Sequence, residues 1–112
     1  MSHLITRIPV TITSGQYLSS AANFDGKAPT ILLMPAAWDA AAISFATSHN
    51  DTDFYFHYDT VGVIISLPAN SGRRINLPST LGDTNGIKVA SGVPGTTVNQ
   101  TADRVLYFEL WE

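Results

Sequence analysis

The chain has 112 residues, 45% of them hydrophobic and only 13% charged, with a formal net charge of −3 and no cysteine. That length suits one domain, residues 1–112, able to bury roughly two-thirds of its unfolded surface without disulfides or metals. The lack of cysteine excludes disulfides, thiolate metal sites and a cysteine nucleophile, and the lack of a basic stripe argues against nucleic-acid binding.

Charge falls well below the roughly 25% of an average soluble domain, and Ser, Thr and Asn fill the polar quota. Such a surface suits a β-sandwich, or a protein covered by neighbours, because interface cores are poor in charge. The longest apolar run, Thr30 to Trp38, is too short to span a bilayer and is broken by Pro35. Met1 to Arg7 lacks the charged head and long apolar stretch of a signal peptide, so no export signal is expected.

Along the chain, Leu4, Ile8, Val10 and Ile12 fall at even positions with Arg7, Thr11 and Thr13 opposite, which predicts a half-buried strand. Ser14-Gly15-Gln16 then turns into a short second strand at Tyr17-Leu18. Asn23 to Lys27 reads as a turn, its Asp25-Gly26 pair suited to a reversal. Ala28 to Met34 is a continuous apolar strand of the kind buried on both faces. Pro35 to Ala42 is the one place where a helix competes. The run is short and reads as a loop or single helical turn carrying Trp38.

Ile43 to Ser48 restores the two-residue period, and Ser48 to Asp53 is a polar turn. Phe54 to Tyr58 is the most aromatic stretch, with Tyr55 and His57 sharing one face. Val61 to Leu67 reads as a strand closed by Pro68 to Gly72, and Arg73 to Leu77 as a short mixed segment. Gly82 to Gly86 is a turn, Ile87 to Val89 a strand, and Ser91 to Thr101 a long loop. The last strand, Arg104 to Trp111, sends Leu106, Phe108 and Leu110 inward and Tyr107, Glu109 and Trp111 outward. Eight or nine short strands at this spacing predict an all-β, antiparallel β-sandwich, with a jelly roll favoured.

Catalytic and metal signals are thin. Asp51, Asp53 and Asp59 lack the spacing, central glycine and terminal glutamate of a calcium loop, and turn-forming Asp is commoner. His3, His49 and His57 show no zinc-ligand spacing. No Gly-x-Ser-x-Gly elbow or phosphate-cradling glycine loop is present. Only Glu109 and Glu112 are glutamates, so a glycosidase carboxylate pair has little to draw on. No catalytic, cofactor or metal residue is assigned. The rings of Trp38, Tyr55, Tyr58, Tyr107 and Trp111 either cap the core or contact a partner's side chains or a sugar.

Three stretches occur in order: Met34-Pro35-Ala36-Ala37-Trp38 running on to Phe45, Asp53-Phe54-Tyr55 after a polar turn, and Ile87 to Gly92 leading into Val98-Asn99-Gln100-Thr101-Ala102-Asp103-Arg104. Together they resemble a family of small virion structural proteins of tailed bacteriophages and prophages, over roughly residues 30 to 110. The resemblance implies a jelly-roll-like, discoidin-like domain that serves in the particle and brings no catalytic residues or cofactor. It implies a capsid decoration or cement protein that forms a symmetric homo-oligomer, a trimer among the candidates, and contacts other virion proteins such as the major capsid protein. Its expected location is the virion, after synthesis in the host cytoplasm, with neither nucleic acid nor membrane as a partner. Trp38, Arg73, Arg74 and Trp111 are the expected partner contacts. The alternative is a carbohydrate-binding module of a tail fibre, neck or baseplate, with Trp38 or Tyr55 stacked on a sugar ring.

Overall fold

Period-two alternation dictates a long strand near each end of the chain, β1 (Ile5–Ile12) and β10 (Arg104–Trp111), which pair antiparallel along their whole length. The computed structural model describes residues 5–24, 27–79, 81 and 85–111. Between the two long strands lie β2 (Ala22–Asn23), β3 (Pro29–Leu33), β4 (Ile43–Ser48), β5 (Tyr55–Phe56), β6 (Ser66–Leu67), β7 (Arg74–Asn76), β8 (Gly86–Val93) and β9 (Thr96–Thr97). The turns expected at Asp25-Gly26 and Gly82-Asp83-Thr84 lie outside the described residues.

Pairing is nested. β1 pairs with β10, β2 with β8, β3 with β7, and β4 with both β5 and β6, all antiparallel. This is one long hairpin folded so that successive pairs fall alternately into two sheets. The extra pairs β10–β3 and β8–β4 complete a four-stranded sheet, β1-β10-β3-β7, and a six-stranded sheet built on β2-β8-β4-β5. The result is an antiparallel β-sandwich with jelly-roll winding.

The two inner faces supply one core. Val10, Ile12, Leu32, Leu106, Phe108 and Leu110 meet Ile43, Phe45, Ile87 and Val89. Phe24 meets Phe108 edge to face, with ring centroids 5.1 Å apart and planes at 76°. Leu106, Phe108 and Leu110 are all buried, as their spacing predicts. On β4, Ser44, Ala46 and Ser48 are buried along with Ile43 and Phe45, so this strand is covered on both faces.

The free edge of β1 is blunted. Thr11 turns its N–H and C=O away from β10, to the hydroxyl oxygen and the N–H of Ser20. Pro9, two residues earlier, has the same orientation, so its missing N–H removes nothing from the ladder and denies a donor to any added strand.

Three segments differ from expectation. Tyr17-Leu18 forms no strand. Leu18 makes a single bridge to Ala90, and β2 lies further on. Val61 to Leu67 is not one strand either. β5 and β6 occupy the same lane beside β4, and the residues between them leave the sheet as a small hairpin. His57 and Ile65 pair at its base, Tyr58 bridges Ile64, and the Asp59 carboxylate accepts the N–H groups of Val61 and Val63 at its tip. An apolar run suggested a strand here, but the Asp59 side chain closes the backbone on itself.

Ser91 to Thr101 is not a long loop. β8 runs on through Val93 and turns at Pro94-Gly95 into β9. Gly92 makes this possible. It adopts φ +89°, and an added Cβ would stand 2.5 Å from the Thr96 carbonyl oxygen and 2.8 Å from Thr97 Cα. Gly95 has a similar φ of +86° but open space around it. Gly95→Ala is therefore expected to lose about 1–2 kcal/mol of stability through backbone strain alone. Gly92→Ala should lose clearly more, or fail to fold, as read by urea denaturation.

Candidate functional site

Two polar networks and one cleft stand out from the apolar framework. The first network joins the loop after β3 to the segment between β9 and β10. Gln100 is fully buried, and its amide uses every donor and acceptor it has. Its Oε1 accepts from the Asp39 backbone N–H at 2.9 Å and Arg104 Nε at 3.1 Å. Its Nε2 donates to the Asp39 carbonyl at 3.1 Å and Ser91 Oγ at 2.9 Å.

The Asp39 carboxylate accepts the Thr101 N–H at 2.6 Å and lies 3.4 Å from Arg104 Nη2. The Thr101 backbone N–H foremost, with Arg104 beside it, holds the Asp39 carboxyl below its ordinary value. Residues of the sequence stretches at 34–45 and 98–104 thus meet in space, and they serve to clamp a loop. Replacing Gln100 by Ala leaves several buried polar groups without partners. It should destabilise the fold by about 3 kcal/mol in urea unfolding.

The second network lies on the outer face of the four-stranded sheet. Glu109 points outward, as its strand parity predicts, yet its side chain is only 2% exposed. Arg7 Nε on β1 reaches it at 3.1 Å, and Arg74 Nη2 on β7 at 2.9 Å. Burial alone would raise the Glu109 carboxyl. The hydrogen bonds and charges of Arg7 and Arg74 outweigh it and hold the group below its ordinary value of 4.5. A carboxyl depressed in the fold stabilises it fully above that ordinary value. The contribution is lost as pH falls through the lower folded value. The urea midpoint should therefore drop on acidification below 4.5. Glu109→Gln should lower the midpoint at neutral pH and flatten that acid limb.

The cleft opens at the far end of β4 from the Gln100 clamp. It has a volume of about 470 Å³ and is lined by Thr47, Ser48, His49, Asn50, Asp53 and Tyr55 to Tyr58. Its floor is a built turn. Asn50 Oδ1 accepts from Ser48 Oγ and from the N–H groups of Thr52 and Asp53, while Asn50 Nδ2 donates to Asp53 Oδ2. Asp51, at φ +61°, turns its carboxylate to the side-chain amides of Asn23 and Asn85. Thr47 Oγ1 and His57 Nδ1 are 2.9 Å apart. Tyr55 is 72% exposed and Tyr58 half exposed. The three aspartates of the sequence reading are therefore divided between two turns, Asp51 and Asp53 here and Asp59 in the hairpin.

Of the residues expected as partner contacts, Trp38 is turned inward and Arg73 and Arg74 are exposed. Trp38 is half-buried against the core, and its Nε1 donates to the Ala41 carbonyl at 3.1 Å. Arg74 is exposed but engaged with Glu109, and Arg73 is exposed beside it, its carbonyl accepting the Met34 N–H. The Trp111 backbone ends β10, and its side chain lies outside the described residues. No hydrogen-bonded chain of serine, histidine and acid forms among the described residues. The side-chain partner of His57 is Thr47, and Ser44 and Ser91 are engaged with Gly92 and Gln100.

Sequence reasoning missed the hairpin between β5 and β6 and the cleft beside it. The available signal was the aromatic run at Phe54 to Tyr58, bounded by aspartates on both sides. No protein-family model, no curated protein and no solved structure matches the chain.

Proposed function

We propose that this chain is a non-enzymatic structural protein of a tailed bacteriophage particle, acting as a capsid decoration or cement protein in a symmetric oligomer. The observation that carries this reading is the hairpin between β5 and β6. It leaves the sheet edge with Val61 80% exposed, Val63 57% and Tyr58 50%. Single exposed apolar residues are ordinary on any surface, whereas three on one short projection form a knob fit for a partner's pocket. The order of the stretches at 34–45, 53–55 and 87–104 supports the virion setting by resemblance, and the low charge suits a surface shared with neighbours. Several weak contacts of this kind become strong when repeated on a lattice.

Purified particles should contain this protein in copy number comparable with the major capsid protein. Its absence from particles ends the reading, and a dozen copies or fewer would move it to a neck, tail or fibre. Val61→Asp should abolish incorporation while shifting unfolding by no more than about 0.5 kcal/mol, because the side chain stands in solvent.

A further inference from the structure

The geometry points to a second property, independent of particle assembly: the cleft beside the hairpin binds a neutral sugar ring. Its volume of about 470 Å³ falls in the range of small-ligand sites. Thr47 and Tyr55 are register partners on β4 and β5. His57, two residues on, has its N–H on the Phe45 carbonyl, so Thr47, Tyr55 and His57 share one face of the sheet.

This places a largely exposed phenol ring beside polar groups whose remaining valences are open. Thr47 occupies His57 Nδ1, which leaves Nε2 free to meet a ligand. Asn50 occupies Asp53 Oδ2, which leaves Oδ1 as an acceptor. The His49 ring adds a further group that donates and accepts.

A sugar ring matches this arrangement. Its C–H face covers an aromatic ring, and its hydroxyls each need a donor and an acceptor at the rim. The lining offers no Lys or Arg for a phosphate or carboxylate, and Asp53 disfavours an anion. The lining is also too polar for a purely apolar ligand. Tyr55 supplies the stacking face, and Asp53 and His57 fix the hydroxyls. The turn that carries Asp53 is held in advance by Asn50 and Asp51, so little ordering is left to binding.

The test is an amide NMR titration of the full chain with the methyl glycosides of glucose, galactose, mannose and N-acetylglucosamine. At least one should produce saturable shifts confined to residues 47–58, with a dissociation constant on the order of millimolar. Tyr55→Ala should weaken that binding about tenfold. Tyr55→Phe should preserve it, and Tyr107→Ala on the other sheet should leave it unchanged. Tyr55 is exposed, so its loss does not threaten the fold. The inference is overturned if none of the four sugars gives saturable shifts at the cleft up to ~50 mM, well above a millimolar constant. It is equally overturned if Tyr55→Ala binds as the unmodified chain does. Neither result bears on copy number in particles, so the two readings fail separately.

Discussion

Gln100 is fully buried, and every polar atom of its side chain is committed. A neutral amide can be buried only if its carbonyl and both N–H groups find partners, and here all of them do. Two of those partners are the backbone of Asp39, so Gln100 binds the crossing loop as a neighbouring strand would. The loop after β3 has to pass from one sheet to the other, and its backbone would otherwise lack partners at the end of the sandwich. Arg104 and Asp39 close the same network from its solvent side. The start of β4 is thereby fixed, and β4 lies between β8 and the β5–β6 lane. Its register fixes where the opposite end of the sheet opens.

That opposite end is built differently. From Ile43 to Ser48 the strand advances ~17 Å, at about 3.3 Å per residue. Beyond it, the Asn50 and Asp59 side chains bond backbone N–H groups within the turn and the hairpin. These local side-chain-to-backbone bonds need no partner from the core, so the aromatic residues they carry can stay exposed. One end of the sandwich thus spends its polar groups on closure. The other spends them on shaping a projection and a cleft, the usual division between a rigid scaffold and the loops it presents.

Strands with a clean two-residue period were legible in the chain. The ends of β10 match their expected residues, and β1 and β4 follow closely. Segments whose fate depends on distant residues were not. Val61 to Leu67 is apolar enough for a strand, but no lane beside β4 was free for all of it once β5 had paired. Ser91-Gly92 carries a loop signature, yet Gly92 is needed inside β8 because the β9 backbone crosses so close to it. Nothing local places the loop of Trp38, which Gln100 and Arg104, more than 60 positions later, draw against the core. Local pattern reads local geometry, and each of these outcomes was decided across the two sheets.

Glu109 shows the same dependence in its electrostatics. Parity places it on the outer face, where a carboxylate is ordinarily solvated. Instead it is covered from both sides, by an arginine 102 positions before it and another 35 positions before it. Glu109 stands opposite Arg7 on β1 and opposite Ile31 on β3, beyond which β7 brings Arg74 within reach. A buried carboxylate with no partner would be strongly disfavoured, so correct pairing of β1 and β7 is a condition for burying it. A one-residue slip of either edge strand would carry its arginine to the inner face and strand the charge. The bonds therefore contribute less as attraction than as a penalty on the wrong register. That constraint matters most here, because β1 and β7 are the edge strands of their sheet, each paired with a single strand among the described residues.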